Sequence, residues 1–466
     1  MKQHPMTVAL RKNVPAKTTT ITLVDKSGFK AFAAGLPAAT RRWLDTIGFV
    51  GAADRHVLLP DDAGHMAQVI AGVQDVADPF VLSALPGELP AGDYRLSSDG
   101  LQLDPSLAAM SWQLGTYAFD RYKPRRRAPA GLVMATSTAA RRGLVMAQGI
   151  GLARDLINTP AEHMGPDELA GAVKALAKVH GAGFRQIVGE QLLKKNFPAI
   201  HAVGRASARA PRLIELHWGK PAHPLVSIVG KGVCFDSGGL DIKGADGMRL
   251  MKKDMGGAAN ALGLAAMVMA LQLPVRLQLL IPAVENAISG NAYRPGDVIG
   301  TRAGLQIEIG NTDAEGRVIL SDALAYATES APALIIDLAT LTGAARVALG
   351  PQLPALFCRD MATGRALVDL GLEHQDPLWH MPLWAPYKAG IESSVGDIVN
   401  TGRNTMAGAI NAALFLEYFV PAHQHWLHVD LFGWSDTARP GRPIGGEAQG
   451  IRTLLAHLEQ RFGAGR

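Results

Sequence analysis

Segments of two different periods alternate along the second two thirds of the chain. Short apolar runs typical of buried strands are separated by longer segments with helical spacing. The predicted strands are LVSIVG (225–230), LQLLIPAV (277–284), LQIEI (305–309), ALIIDLA (333–339) and WLHVDLFG (426–433). The predicted helices cover residues 256–273 and about 317–330. This alternation predicts an α/β fold with a mostly parallel sheet covered by helices on both faces, and sites in such sheets form at the carboxyl ends of the strands.

The first part of the chain carries a weaker pattern. TITLV (20–24) and HVLLP (56–60) predict strands, and AGHMAQVIAGVQDV (63–76) predicts a helix. The segment 139–157 has helical spacing and ends before Asn-Thr-Pro, a typical stop signal.

These patterns divide the chain into three parts. We predict a smaller N-terminal α/β domain over residues 1–140, a connecting helix and loop over 141–165, and a larger catalytic domain over 166–466.

Composition narrows the class of protein. An apolar share of 48% and a charged share of 19% are typical of a packed protein and argue against disorder. The net charge of +5 is small for 466 residues, and the one dense basic run, 123–127, lacks the interleaved aromatic residues that bind single strands. We therefore expect no nucleic-acid partner.

Cysteine content and apolar runs indicate the compartment. Cys234 and Cys358 are the two cysteines, which predicts a reducing compartment and no disulfide framework. The N-terminal residues lack the apolar segment of a signal peptide, and no uninterrupted apolar run reaches the ~18 residues of a membrane span. We expect a cytoplasmic protein with no membrane partner.

Two stretches concentrate charge among small side chains. The stretch 229–260, VGKGVCFDSGGLDIKGADGMRLMKKDMGGAAN, follows a predicted strand, and 309–318 reads IGNTDAEGRV. Their charged residues include Lys231, Asp236, Lys243, Asp254, Asp313, Glu315 and Arg317. If the second stretch is extended, its three charged residues lie on one side of the backbone.

Four carboxylates in one site repel one another unless a cation lies between them. Taken singly, each aspartate could cap a helix or turn and each lysine could pair at the surface. Together they favour a site for two divalent cations, which activates water and stabilises the charged oxygens of a transition state. Oxygen ligands suit Mg, Mn and Zn. The pattern therefore predicts metal-assisted hydrolysis.

The same stretches resemble a known family. NTDAEGR (311–317) matches the signature heptapeptide of the leucyl (cytosol) aminopeptidase family, and VGKGVCFDSGGLDIKG with MKKDMGGAA matches its other metal-binding stretch. Further likeness in ARDLINTP, IIDLATLTGA, MPLW and WSDTARP extends the resemblance over about residues 150–466. The resemblance implies a homohexameric aminopeptidase that releases N-terminal residues from peptides.

The resemblance implies a ligand set for two metal ions, zinc or manganese in preference to magnesium. The ligands would be Lys231, Asp236, Asp254, Asp313 and Glu315. Asp236 and Glu315 would contact both ions. A lysine ligand must be neutral to donate its lone pair.

The resemblance also implies catalytic and substrate-binding residues. Lys243 would stabilise the oxyanion of the tetrahedral intermediate, and Arg317 would hold a bicarbonate ion as a proton shuttle. The residues that would contact the peptide are Met251, Thr340, Leu341 and Gly343.

Other interpretations stay open at this stage. A two-metal phosphoesterase shares carboxylate-rich ligation, although Lys231 is unusual for it. A third reading is a DNA-binding protein with secondary peptidase activity. His428 and Asp430 alternate on a predicted strand, which we interpret as a core histidine beside a buried carboxylate. Cys234 has no histidine at a recognisable spacing to support a thiol nucleophile.

Overall fold

A computed structural model describes residues 6–15, 18–125 and 127–463. The chain divides into two compact units, whose ranges are Met1–Gly151 with Thr437–Pro443, and Leu152–Asp436 with Ile444–Arg466. The domain bounds expected from the sequence stay a prediction. Arg126 of the basic run lies outside the described residues. Over the described ranges, no helix combines the length and apolar character needed to cross a membrane.

The first unit contains a mostly parallel sheet with short helices. Its strands are β1 (Val8–Arg11), β2 (Thr19–Val24), β3 (His56–Pro60), β4 (Met66–Gly72), β5 (Asp93–Gly100) and β6 (Gly131–Ala135). Its helices are α1 (Phe29–Ala34), α2 (Ala38–Thr46), α3 (Leu85–Glu88) and α4 (Pro105–Gly115). The strand order is β1-β6-β5-β2-β4-β3, with β3 antiparallel to β4. The following helix α5 (Thr138–Asn158) crosses the boundary between the units and confirms the helix expected over 139–157.

The helix expected over residues 63–76 is wrong, because this segment contains β4. Val69, Ile70 and Ala71 are consecutive and buried, and β4 pairs with β2 on one side and β3 on the other. A strand inside a sheet that is covered on both faces carries a continuous apolar run, which periodicity alone does not distinguish from a buried helix.

The second unit is larger and is built around a mixed sheet. Its strands are β7 (Gly183–Val188), β8 (Arg212–Trp218), β9 (Leu225–Gly230), β10 (Gly232–Asp236), β11 (Arg276–Asn286), β12 (Val298–Gly300), β13 (Gln306–Glu308), β14 (Leu334–Ala339), β15 (Ala355–Cys358), β16 (Trp379–His380), β17 (Ile398–Val399), β18 (Trp426–Asp430), β19 (Trp434–Ser435) and β20 (Gly445–Gly446).

Helices surround these strands. They are α6 (Pro166–His180), α7 (Gln191–Lys194), α8 (Pro198–Gly204), α9 (Ala245–Met248), α10 (Gly256–Ala270), α11 (Glu315–Thr328), α12 (Gly343–Leu349), α13 (Met361–Glu373), α14 (Gly408–Glu417) and α15 (Ile451–Phe462). Short 3-10 helices cover Ala161–His163, Met251–Met255 and Ala385–Ile391.

The strand order of the main sheet is β16-β15-β18-β14-β9-β11-β8-β7, and β10 also pairs with β11. Its centre, β18-β14-β9-β11, is parallel, whereas β8 and β7 continue it in antiparallel fashion. The five strands expected from apolar runs are all present, and α10 is buried almost all round, as its composition predicts. The predicted fold class, a two-domain α/β protein with a larger C-terminal part, is confirmed.

Candidate metal centre

The first charged stretch lies at the carboxyl ends of central strands. Lys231 directly follows β9, and its backbone N–H donates to the carbonyl of Leu338 at the end of β14. Asp236 is the last residue of β10. Both charged side chains are buried at the carboxyl ends of strands, where sites form in sheets of this kind.

The second stretch approaches the same place from a turn and a helix. Glu315 is the first residue of α11, and Asp313 lies in the turn before it, where its N–H donates to Asn311 Oδ1 (2.7 Å). The condition that would put 313, 315 and 317 on one side of the backbone, an extended chain, is not met, because the helix starts at Glu315. The carboxylates converge nonetheless, since the turn brings Asp313 back towards the helix N-terminus.

The four carboxylates and two lysines form one cluster. One oxygen from each of Asp236, Asp313 and Glu315 lies within 4.8 Å of the others. Lys231 Nζ lies 2.7 Å from Asp254 Oδ2 and 2.9 Å from Glu315 Oε1. Lys243 Nζ lies 2.8 Å from Asp236 Oδ2 and also pairs with Asp313. The structure thus brings together all five residues expected to be ligands, and it adds Lys243, which was expected to be catalytic, to the same cluster.

The electrostatics of the cluster indicate missing positive charge. Burial raises the pKa of Glu315 well above its ordinary value, and the nearby charge of Asp236 raises it further. Lys231 lowers this pKa, but by less than the other two effects raise it. Burial, with Asp236 beside it, raises the pKa of Asp313 to about 6. Two ammonium groups therefore do not suffice for four carboxylates, of which Asp236, Asp254 and Glu315 are buried and Asp313 is half-buried.

Asp236, Lys231 and Lys243 are instead held in their charged forms by one another. Burial by itself would raise the pKa of Asp236, but Lys243 and Lys231 outweigh burial and lower it. Burial also disfavours both ammonium groups, yet the carboxylates around them raise the pKa values of Lys231 and Lys243. The carboxylate of Asp236 and the two ammonium groups thus each stay charged because the opposite charge lies beside them.

Two buried carboxylate oxygens of the cluster are available to bind a metal ion. Asp254 Oδ2 and Glu315 Oε1 are shielded from solvent and accept no hydrogen bond of acceptable geometry from the described residues. The Lys231 ammonium is close enough to attract both oxygens, but it is poorly directed at them. A carboxylate-rich donor set of this kind suits hard divalent cations. The residues present therefore fit a two-metal site.

A glycine makes the approach of Lys231 possible. A Cβ atom on Gly316 would lie 2.5 Å from Lys231 Cε and 2.7 Å from its Nζ. The small residue between Glu315 and Arg317 thus leaves the space that the lysine occupies.

Arg317 lies beside the cluster in the first turn of α11. Its Nη1 donates to the carbonyl of Asn400 (2.8 Å), and its buried Nε has no hydrogen-bond partner among the described residues. Burial lowers the pKa of Arg317 to about 10, so the group stays charged at neutral pH. Arg317 therefore offers an unused donor in a dry location.

The residues expected to contact the peptide lie next to the cluster. Thr340 follows β14, its carbonyl accepts from Lys231 Nζ (2.8 Å), and its Oγ1 donates to the Asp254 carbonyl (2.9 Å). Leu341 follows in the same loop, and Gly343 is the first residue of α12, with open space where a Cβ would be. Met251 begins the 3-10 helix that carries Asp254 and is half-buried.

Sequence reasoning missed two asparagines that orient the cluster. Asn286 Nδ2 donates to Asp236 Oδ1 (2.8 Å) and to the Thr312 carbonyl (3.0 Å). It ends β11, so the rule on carboxyl ends of strands could have found it. Asn400 Oδ1 accepts from the N–H groups of Gly310 (2.8 Å) and Asn311 (3.2 Å), and no local pattern distinguishes it.

The other candidates have structural surroundings. His428 Nδ1 lies 2.6 Å from Asp337 Oδ1 in the core, so the interpretation as a buried histidine–carboxylate pair holds, with Asp337 as the partner rather than Asp430. Burial raises the pKa of the Cys234 thiol well above its ordinary value, which opposes a role as a nucleophile.

Comparisons with known proteins agree with this geometry. A sequence profile described as the cytosol aminopeptidase family, catalytic domain, matches residues 151–455, and one described as the M17 aminopeptidase N-terminal domain matches residues 19–135. A probable cytosol aminopeptidase of Syntrophotalea carbinolica is 41% identical over 365 residues, which are 74% of this chain and 73% of the relative.

Solved structures extend the likeness to nearly the whole chain. The crystal structure of the cytosol aminopeptidase from Coxiella burnetii is 48% identical with a TM-score of 0.92 and covers 97% of this chain and 98% of its own. The bottromycin maturation enzyme BotP in complex with Mn is 32% identical with a TM-score of 0.85, covering 96% and 100%. The resemblance noted in the sequence is confirmed, and the phosphoesterase and DNA-binding readings are not favoured. The chain belongs to the cytosol aminopeptidase family, whose members use two metal ions, and it is a metal-dependent aminopeptidase that acts on peptides.

Proposed function

We propose that the cluster of Lys231, Asp236, Asp254, Asp313 and Glu315 is the active site and holds two divalent ions, zinc or manganese in preference to magnesium. The convergence of four carboxylates, two of which keep a buried oxygen without a hydrogen bond from the described residues, is the observation that carries this proposal. By family likeness, Asp236 and Glu315 would contact both ions, Lys231 and Asp254 would complete one, and Asp313 would complete the other. When bound, the ions supply Lewis acidity and a water of lowered pKa.

The other side chains act on the substrate. Lys243 provides a positive charge for the oxyanion that develops at the scissile carbonyl, and its place between Asp236 and Asp313 holds its ammonium at the cluster. Arg317 binds an anion such as bicarbonate, which can act as a base where guanidinium cannot. Its Nε, which has no hydrogen-bond partner among the described residues, supports this role. Met251, Thr340, Leu341 and Gly343 contact the peptide.

The assembly and location of the protein follow from family likeness. We propose a homohexamer in the cytoplasm, supported by the cytosol aminopeptidase names of the relatives and by two buried free cysteines. Sedimentation of the purified protein tests the assembly, and a dimer or monomer at micromolar concentration would contradict it.

Hydrolysis of two matched substrates tests the activity. The free α-amine marks a chain end, and acetylation turns it into an amide nitrogen, which is a poor donor to a cation. We expect the manganese- or zinc-loaded protein to cleave leucine p-nitroanilide and to leave N-acetyl-leucine p-nitroanilide intact. Equal cleavage of the two would indicate a different hydrolase.

A further inference from the structure

One buried carboxylate outside the cluster of four carboxylates and two lysines is hydrogen-bonded to the loop that follows β14. Thr340, Leu341 and Thr342, called here the 340–342 loop, connect β14 to α12. Asp430 ends the neighbouring strand β18, where it lies opposite Ala339 in the parallel register, and it is 2% exposed.

Among the described residues, the carboxylate of Asp430 is hydrogen-bonded only to this loop. Oδ1 accepts from the N–H groups of Leu341 (2.9 Å) and Thr342 (3.2 Å), and Oδ2 accepts from Thr342 Oγ1 (2.7 Å). The described residues supply this carboxylate with no other hydrogen bond. Its three partners are donors, which an acceptor-only carboxylate satisfies fully and an amide does not.

The other end of the loop is hydrogen-bonded to two residues of the cluster, Lys231 and Asp254. Thr340 receives a hydrogen bond from Lys231 and gives one to the carbonyl of Asp254. The hydroxyl of Thr342 also accepts from the N–H of Ala345 (3.0 Å) and so caps α12. The loop therefore spans two anchors, the proposed ligands at one end and Asp430 at the other.

We infer that Asp430 is a positioning residue for substrate binding, whose carboxylate holds the 340–342 loop in the shape that receives the peptide. The inference rests on the proposed function, which assigns Thr340 and Leu341 to peptide contact. Asp430 binds neither metal nor peptide. Its loss therefore affects substrate binding before it affects chemistry.

Kinetics of Asp430→Asn test the inference. Because the loop contacts the peptide in the ground state and the transition state alike, KM for leucine p-nitroanilide should rise about tenfold while kcat stays within about threefold, with metal content unchanged. Hydrogen exchange of the Leu341 and Thr342 amides should accelerate in the same variant, a readout that does not depend on turnover.

Asp376→Asn is the matched control. Asp376 is also buried, and its carboxylate accepts from the N–H groups of Gly450 (2.9 Å) and Arg452 (2.8 Å), away from the loop. This variant should lose stability and keep the wild-type KM and the wild-type exchange of the loop amides. An equal rise in KM in the control would make the effect of Asp430→Asn a general consequence of destabilisation and would overturn the inference.

Thr342 variants decide the matter if Asp430→Asn does not fold. Thr342→Val removes the hydroxyl that Asp430 binds and should raise KM by a smaller factor than Asp430→Asn does. Thr342→Ser keeps the hydroxyl and should keep the wild-type KM. An unchanged KM in Asp430→Asn and Thr342→Val, or a fall in kcat alone, refutes the inference. Absence of hydrolysis by the wild type refutes the proposed function instead.

Discussion

The positively charged side chains of Lys243 and Arg317 lie beside the carboxylates in different surroundings, and this difference separates their roles. Lys243 pairs with Asp236 and Asp313 within the cluster, whereas Arg317 donates to a backbone carbonyl and its Nε has no partner in the described part of the chain. A group that meets developing charge and a group that holds an auxiliary anion should respond differently to removal.

Lys243→Ala should lower kcat by roughly a hundredfold or more with little change in KM, as expected for the loss of an oxyanion donor. Arg317→Ala should lower kcat less, and added bicarbonate should stimulate the wild type more than this variant. Steady-state kinetics with and without bicarbonate measure both effects. Metal content serves as the control, because neither side chain is a proposed ligand; loss of metal from Lys243→Ala would contradict the division of roles.

At the scale of elements, the start of α11 carries the proposed ligand Glu315 and, at Gly316, the space that the proposed ligand Lys231 occupies. Gly316 lies inside this helix, where glycine is ordinarily less favourable than alanine by roughly 0.5–1 kcal/mol. Here a Cβ would contact the Lys231 side chain at under 3 Å, and that side chain is fixed by two carboxylates. Overpacking of this kind costs about 1–3 kcal/mol and so outweighs the gain in helix propensity.

Gly316→Ala should therefore destabilise the protein and weaken metal binding. Gly171→Ala is the matched control, because Gly171 lies within α6 and has open space where its Cβ would be. The control should gain roughly 0.5–1 kcal/mol. Denaturant unfolding and metal titration compare the two variants, and equal stabilisation of both would show that Lys231 yields to the new methyl group.

The sequence predicts elements well where a single local pattern decides them. LVSIVG is β9 residue for residue, and the two charged stretches lie where strands end. It fails at 63–76, where burial on both faces gives a strand and a helix the same pattern. Asn400 and Asp430 act on residues more than 80 positions away, and such pairings depend on strand order rather than on local sequence.

At the scale of the whole molecule, stability should depend on pH through a histidine of the C-terminal helix α15. Burial, together with Arg461, lowers the pKa of His457 to about 4, and its Nε2 is buried without a partner among the described residues. The unfolded chain takes up this proton at a higher pH than the folded one. The stability is therefore fully present above pH 6.5 and is lost as pH falls towards 4.

His457→Gln should flatten this dependence. The difference of about two and a half pKa units corresponds to at most roughly 3 kcal/mol. Unfolding free energies of the variant and the wild type between pH 4 and 7 measure it, and their difference cancels the other titrating groups. Parallel curves for the two proteins would assign the acid sensitivity elsewhere.

The number of metal ions bound per chain tests the central claim most directly. Equilibrium dialysis against manganese or zinc, followed by elemental analysis, counts the ions in the wild type, in Asp236→Ala and in the remote control Asp376→Asn. Because Asp236 is proposed to serve both ions, we expect two ions per chain in the wild type and the control, and fewer than one in Asp236→Ala, together with loss of leucine p-nitroanilide hydrolysis. Two ions per chain in Asp236→Ala, or one or none in an active wild type, would contradict the account.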